Sequence, residues 1–254
     1  MTAVVRAPSG LSTYWRASRE PRYSVLFALP LLLLYEALAA TLSRDLTGGV
    51  RNAADVILKS VFITLGGQHG LLIFGVALIG LGCWLVARDV RAHGMRLRFE
   101  YFAAMLAESV VLALFFGVIV GWMTAGLLGT LPPFAIALQA PLEQMGWWTR
   151  LMISLGAGLY EELLFRVVLV TALAVFARRV LGWTPAVSGA TAAVVGALVF
   201  SAFHYIGPFG DPWQLQSFVF RFIGGLGFST IYLLRGFGIT AWTHALYDVF
   251  LLAL

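Results

Sequence analysis

GLYEELLFRVVLV, residues 158–170, sets Glu161, Glu162 and Arg166 into a run otherwise built from Leu, Val, Phe, Tyr and Gly. The apolar stretch extends on both sides, over about 147–177, whereas about twenty apolar residues suffice for a helix to cross hydrocarbon. A charged side chain near the centre of such a helix costs roughly 2.5–3.5 kcal/mol, so three unpaired charges would cost about 8–10 kcal/mol. Helical geometry relieves part of this. Glu162 and Arg166 are four residues apart and share one face, with the acid N-terminal to the base, the favourable order. Glu161 lies about 140° around an α-helix from Arg166 at 3.6 residues per turn. Its partner must come from another helix or from water.

The rest of the chain has the same apolar character. Of 254 residues, 60% are hydrophobic and 11% charged, where a soluble domain carries about a quarter charged residues. The fold expected is therefore all-α, a polytopic membrane bundle of about seven spans (six to eight), with an active-site cavity inside it. Spans are expected near 23–42, 69–87, 101–122, 147–177, 186–206, 215–234 and 236–254. The segment 54–65 is too short to cross and too apolar for a free loop, which places it in the interface or dipping into the membrane. Pro30 falls inside the first span, where neighbouring helices can satisfy the freed carbonyl. Pro132, Pro133 and Pro141 break up the loop 123–146. Glycines such as Gly224, Gly225 and Gly227 are read as allowing close helix contact.

Basic residues orient the chain, since Lys and Arg mark cytoplasmic loops. Arg6, Arg16, Arg19 and Arg22 precede the first span; Arg88, Arg91, Arg96 and Arg98 follow the second; Arg178 and Arg179 end the fourth; Arg235 joins the last two. The loops 123–146 and 207–214 have no Lys or Arg. This gives a cytoplasmic segment 1–22; membrane helices over 23–100 and a core over 101–254 are expected to follow, and the Ala/Leu/Gly/Arg-rich composition points to a bacterial inner (plasma) membrane. Arg44, Arg51 and Lys59, beside Asp45 and Asp55, are the exception to the alternation. Clusters of arginine between apolar runs give no support to nucleic-acid binding. The one cysteine, Cys83, excludes an intrachain disulfide and a Cys-based metal site.

Two further apolar segments carry ionisable residues. FSAFHYIG (200–207) puts Phe200 and His204 one turn apart, and WTHALYDVF (242–250) does the same for His244 and Asp248. A single intramembrane histidine is most simply a packing group, and Glu36 and Glu108 are read as interior hydrogen-bonders. A spare glutamate, two histidines and an aspartate on three helices make a functional set, because intramembrane ionisable groups are expensive. A carboxylate and an imidazole aimed at one water form a general base, and a second His can stabilise an oxyanion. The same residue types are also zinc ligands. There is no HExxH and no GxSxG, so neither the usual helical zinc-protease motif nor a serine nucleophile elbow is present.

Glu161-Glu162-x3-Arg166, Phe200-x3-His204 and His244-x3-Asp248, in this order on successive apolar segments, resemble the CPBP (CAAX-protease and bacteriocin-processing, Abi) family of glutamic-type intramembrane proteases. The resemblance covers roughly residues 100–254. It implies a membrane endopeptidase in which Glu161 and His204 activate water, while His244 and the residue one turn on hold the oxyanion. Glu162, Arg166 and Phe200 would support the site. The family pattern commonly ends in Asn, which can donate a hydrogen bond, whereas an ionised Asp248 cannot. Asp248 is then either protonated or the group that orients His244. No cofactor is favoured; zinc is the alternative, with Glu161, His204, His244 and Asp248 as its ligands. The expected partners are a membrane-anchored protein or peptide substrate and the lipid bilayer. Competing readings are a proton-coupled transporter and a non-catalytic immunity or scaffold protein.

Overall fold

The computed structural model describes residues 10–43, 50–94, 96–129, 145–207 and 210–253. Arg6, Arg44, Asp45, Pro132, Pro133, Pro141 and the Pro208–Phe209 pair lie outside the described residues. Every regular element described is helical: α1 (Gly10–Ala17), α2 (Pro21–Leu42), α3 (Ala53–Gly66), α4 (Gly70–His93), α5 (Phe99–Leu128), α6 (Trp147–Gly156), a π-helical stretch (Ala157–Val170), α7 (Thr171–Arg179), α8 (Pro185–Phe203), α9 (Leu215–Arg235) and α10 (Phe237–Ala253), with a single 3-10 turn at Gly67–His69. Local sequence sets several of these boundaries. Pro21 and Pro185 open α2 and α8 at the first helical turn, where a missing N–H costs nothing. The side chains of Asn52 and Thr184 cap α3 and α8.

This is an integral, multi-pass membrane protein. Five stretches are helical, long and apolar enough to cross a bilayer: Pro21–Leu42, Ala53–His93, Phe99–Leu128, Pro185–Phe203 and Leu215–Arg235. Their outward faces carry Leu33, Leu72, Val76, Phe115 and Trp122, each more than half exposed. A water-soluble monomer rarely shows contiguous apolar surface on that scale. The expected spans 147–177 and 236–254 correspond to the continuous helical run from Trp147 to Arg179 and to the seventeen residues of α10. The segment expected at 54–65 is α3, fourteen residues and about 21 Å long at 1.5 Å per residue. After it the chain turns sharply through Gly67–His69, and Phe62 packs edge-on to Phe74 of α4 with ring centroids 5.3 Å apart.

The core is organised around α10. Ala241 and Ala245 pack with Leu31, Tyr35, Met152 and Tyr160. Ile239 joins a second cluster with Tyr23, Phe27 and Met105. Tyr247 joins a third with Phe116, Val120 and Phe228. The last helix therefore has neighbours on every side, and whatever it carries is held from α2, α5, α9 and the π-helical stretch.

Two basic residues that broke the alternation of loop charges are held in a buried ion network and are not free charges. Lys59 binds Asp55 Oδ1 at 2.7 Å and Glu36 Oε1 at 2.8 Å, and Arg51 binds Asp55 Oδ2 at 3.3 Å. Tyr35 and Tyr160 add hydroxyl donors to Asp55 and Glu36. A buried ion network says nothing about which side of the membrane its residues face, because the orientation rule concerns free basic residues in loops. Arg235 is likewise buried, with Nε 2.5 Å from Glu108 Oε1, so Glu36 and Glu108 are both partners of interior cations.

Candidate active site

The Glu–Glu–Arg motif does not sit on an α-helix. From Ala157 to Val170 the backbone winds as a π-helix, and its end is marked by the bond from Thr171 N–H to Arg166 O, five residues back. Bonding from i to i+5 widens the turn beyond four residues. The five-residue step from Glu161 to Arg166 then falls closer to one full turn than it does at 3.6 residues per turn. The 140° divergence expected of an α-helix is therefore reduced, and Glu161, Glu162 and Arg166 all face inward, respectively 7%, 0% and 1% exposed.

Each side chain meets a different partner. Glu162 Oε1 accepts a hydrogen bond from His244 Nδ1 at 2.7 Å and lies 3.2 Å from Arg166 Nη1. Arg166 also donates to the carbonyl of Gly225 at 3.3 Å and stacks over Phe200, its guanidinium carbon 4.4 Å from the ring centroid. Phe200 therefore supports both the cation and His204, whose ring centroid is 4.9 Å away. His244 is stacked on Phe228 at 4.2 Å and 21°. Its Nε2 is 3.8 Å from Asp248 Oδ2, within ion-pair range and too long for a hydrogen bond. Orientation of His244 thus falls to Glu162 and not to Asp248.

His204 is held in one tautomer by its own helix. Its Nδ1 lies 2.9 Å from the carbonyl oxygen of Phe200. A carbonyl only accepts, so Nδ1 carries the proton and the neutral ring presents a bare Nε2. His204, His244 and Arg166 all lie within electrostatic reach of Glu161. The chain following His204 is tied back as well. Asp211 N–H donates to His204 O at 2.9 Å, and Arg221 pairs with Asp211 at 2.5 Å. The structure brings all seven sequence-derived site residues, Glu161, Glu162, Arg166, Phe200, His204, His244 and Asp248, into one interior cluster.

The whole cluster lies in a stretch with recognisable relatives. Residues 143–250 match the Rce1-like family. That family is described as type II CAAX prenyl endopeptidase Rce1-like. The match agrees with the CPBP resemblance drawn from the three motifs, and all three motifs fall inside it. Comparison with curated proteins and with solved structures gave no match.

Sequence reasoning missed Asn52. Its Nδ2 donates to Glu161 Oε1 at 2.8 Å, so the partner required of another helix comes from the start of α3, outside the Rce1-like match. The signal was present: an Asn directly before an apolar helical run is a helix N-cap. Nothing in that pattern says which helix the cap touches.

A metal is the other chemistry these residue types support. Among the described residues no three His, Cys, Asp or Glu side chains converge as a metal-holding group. Glu161 Oε1 is taken by Asn52, and His244 Nδ1 by Glu162. No step below is routed through a metal.

Close packing makes this geometry possible. A Cβ on Gly158 would lie 2.4 Å from Ala241 O and 2.5 Å from Ala245 Cβ. Only glycine lets the π-helical stretch come this near α10. Gly158→Ala should force the two apart, destabilise the fold by about 1–3 kcal/mol, and lengthen the Glu162–His244 contact. A lower unfolding midpoint together with lost turnover checks this; a parent-like variant in both would refute the close-approach argument.

Proposed function

We propose that this chain is an intramembrane endopeptidase that hydrolyses a peptide bond of a membrane-anchored or membrane-embedded protein, with water activated by Glu161 and His204. The observation that carries the reading is an inward-facing Glu161 carboxylate within electrostatic reach of a histidine whose bare Nε2 is fixed by its own helix. The Rce1-like match supports the reaction class.

In this mechanism a water lies between Glu161 and His204 Nε2. Its oxygen attacks the scissile carbonyl carbon as its proton passes to Glu161. The new C–O bond leaves negative charge on the former carbonyl oxygen. Glu162 is the carboxylate on Nδ1 of His244, and with that partner a protonated His244 presents Nε2–H to the oxyanion. Asp248, side chain 27% exposed, lies alongside as the second donor when protonated. Collapse of the intermediate breaks the C–N bond, and Glu161 passes its proton to the departing nitrogen. The products are a carboxylate and an amine. No metal enters, which makes the protease glutamic in type. A prenylated CAAX tail, the substrate in the family's description, is one instance of a membrane-anchored peptide. A bacterial inner membrane is the setting we propose.

The test is cleavage of membrane-anchored peptides by the purified protein in liposomes, read by mass spectrometry, before and after chelation. Cleavage that survives strong chelators is expected. Solute or proton flux without cleavage would favour a carrier, and activity lost together with stoichiometric zinc would overturn the metal-free mechanism.

Asp248 supplies a separate test. Because Glu162 already orients His244 through Nδ1, Asn at position 248 does not disturb that ring and keeps a donor in place. Asp248→Asn should retain most activity, whereas Asp248→Ala should lose about 100-fold in kcat, the cost of one oxyanion donor. An inactive Asn variant with intact folding would show that the carboxylate itself is required.

A further inference from the structure

Glu161 is positioned from outside the stretch that matches the Rce1-like family, and the geometry of that contact is over-determined. Asn52 Oδ1 accepts from the backbone N–H groups of Ala54 at 2.9 Å and Asp55 at 3.4 Å. Two backbone donors fix that atom as the amide oxygen. The other end of the side chain is therefore the NH2 group, and it is this end that meets Glu161 Oε1 at 2.8 Å. A bond from an amide donor to a carboxylate is among the stronger kinds. It occupies Oε1 and leaves Oε2 as the oxygen that takes the proton from water.

The seat of Asn52 is built to stay put. The residue is 5% exposed. The first turn of α3 behind it is pinned through Asp55, which accepts from Tyr35 Oη at 2.7 Å and pairs with Arg51 and Lys59. On the opposite side, a Cβ on Gly156 would come within 2.8 Å of Asn52 Cβ and 2.5 Å of the Tyr35 ring. Glycine there lets the chain carrying Glu161 press directly against the cap of α3. Four ionisable or hydroxyl side chains on α2, α3 and the preceding loop thus hold one amide against one carboxylate.

We propose that Asn52 is a positioning residue for the reaction: its amide N–H aims the Glu161 carboxylate at the attacking water, while its amide oxygen starts α3. This rests on Glu161 being the base. The amino-terminal helices are then part of the catalytic apparatus and not only a membrane anchor for it.

The two roles of Asn52 separate by substitution in the full-length protein in liposomes. Asp and Ser cap a helix about as well as Asn. Asn52→Asp keeps the cap but turns an acceptor toward Glu161. Asn52→Ser keeps the cap with a hydroxyl too short to reach the carboxylate as well. Both should accumulate as the parent does and lower kcat about 100-fold, the scale of a misplaced reacting group, with KM unchanged. In a Glu161→Gln background, Asn52→Ser should cause no further loss, because the group it aims is gone. Parent-like kcat for a folded Asn52→Ser would reduce Asn52 to a helix cap and overturn the proposal, and so would independent, multiplying losses in the double variant. If Asn52→Asp fails to accumulate, the Ser variant decides by the same kcat criterion. Parent-like turnover by Glu161→Gln alone would instead remove the base, a different failure that this set of variants distinguishes.

Discussion

Glu161→Gln lowers kcat by about 10³-fold or more while the protein remains folded in the membrane. The amide keeps the volume of the carboxylate and still accepts from Asn52 through its oxygen, but it cannot take a proton from water. A positioned general base contributes about 10²–10⁴-fold, and here the same group also returns the proton to the leaving nitrogen, so the upper part of that range applies. Peptide cleavage by the purified variant, with its size-exclusion profile and unfolding midpoint beside those of the parent, measures both halves. Turnover within a few-fold of the parent would remove Glu161 from the mechanism.

Glu162→Gln fails differently. It weakens the one carboxylate that pairs with Arg166 among the described residues, a guanidinium that is 1% exposed. Removing one partner of a buried ion pair costs about 3–5 kcal/mol, against a total stability of about 5–15 kcal/mol for a folded domain. Accumulation of the protein in membranes should fall sharply. Replacing Glu162 and Arg166 together by Leu and Met should restore much of it, since no charge is then left alone. The native pair is not fully satisfied either: Glu162 Oε2 and Arg166 Nε have no hydrogen-bond partner among the described residues. Activity should stay lost in the double variant, because His244 no longer has an acceptor on Nδ1. Membrane immunoblots and peptide cleavage separate the two outcomes. Additive losses in accumulation would count against the pair as a stabilising unit.

What the sequence made legible was what depends on composition and on short spacing. Apolar runs of twenty residues have one stable solution in a bilayer, so a helical membrane bundle follows directly. The i to i+4 steps from Phe200 to His204 and from His244 to Asp248 survive because those helices are regular or nearly so. The Glu162–Arg166 pair survives as well, although Glu162 turns out to be shared with His244, a contact across 82 positions that no local spacing encodes. Asn52 escaped for the same reason, 109 positions from its partner. Arg51 and Lys59 misled because a charge locked into a buried network looks, in one dimension, identical to a charge in a loop. Pro132, Pro133 and Pro141 lie outside the described residues, and their role as loop breakers remains a sequence expectation.

The winding between Ala157 and Val170 also bears on anyone who would borrow this site. A designer reading the pattern as letters would place Glu-Glu-x3-Arg on an ideal α-helix, add two histidines from neighbouring helices, and expect the constellation to reassemble. On that scaffold one acid would meet the arginine and the other would swing most of the way to the far side, with no cavity to serve. A faithful graft has to carry the surplus residue per turn, together with Gly156 and Gly158, which let two neighbouring chains close on the widened coil. The transferable unit is a backbone shape, and the three charged letters have meaning only when written on it.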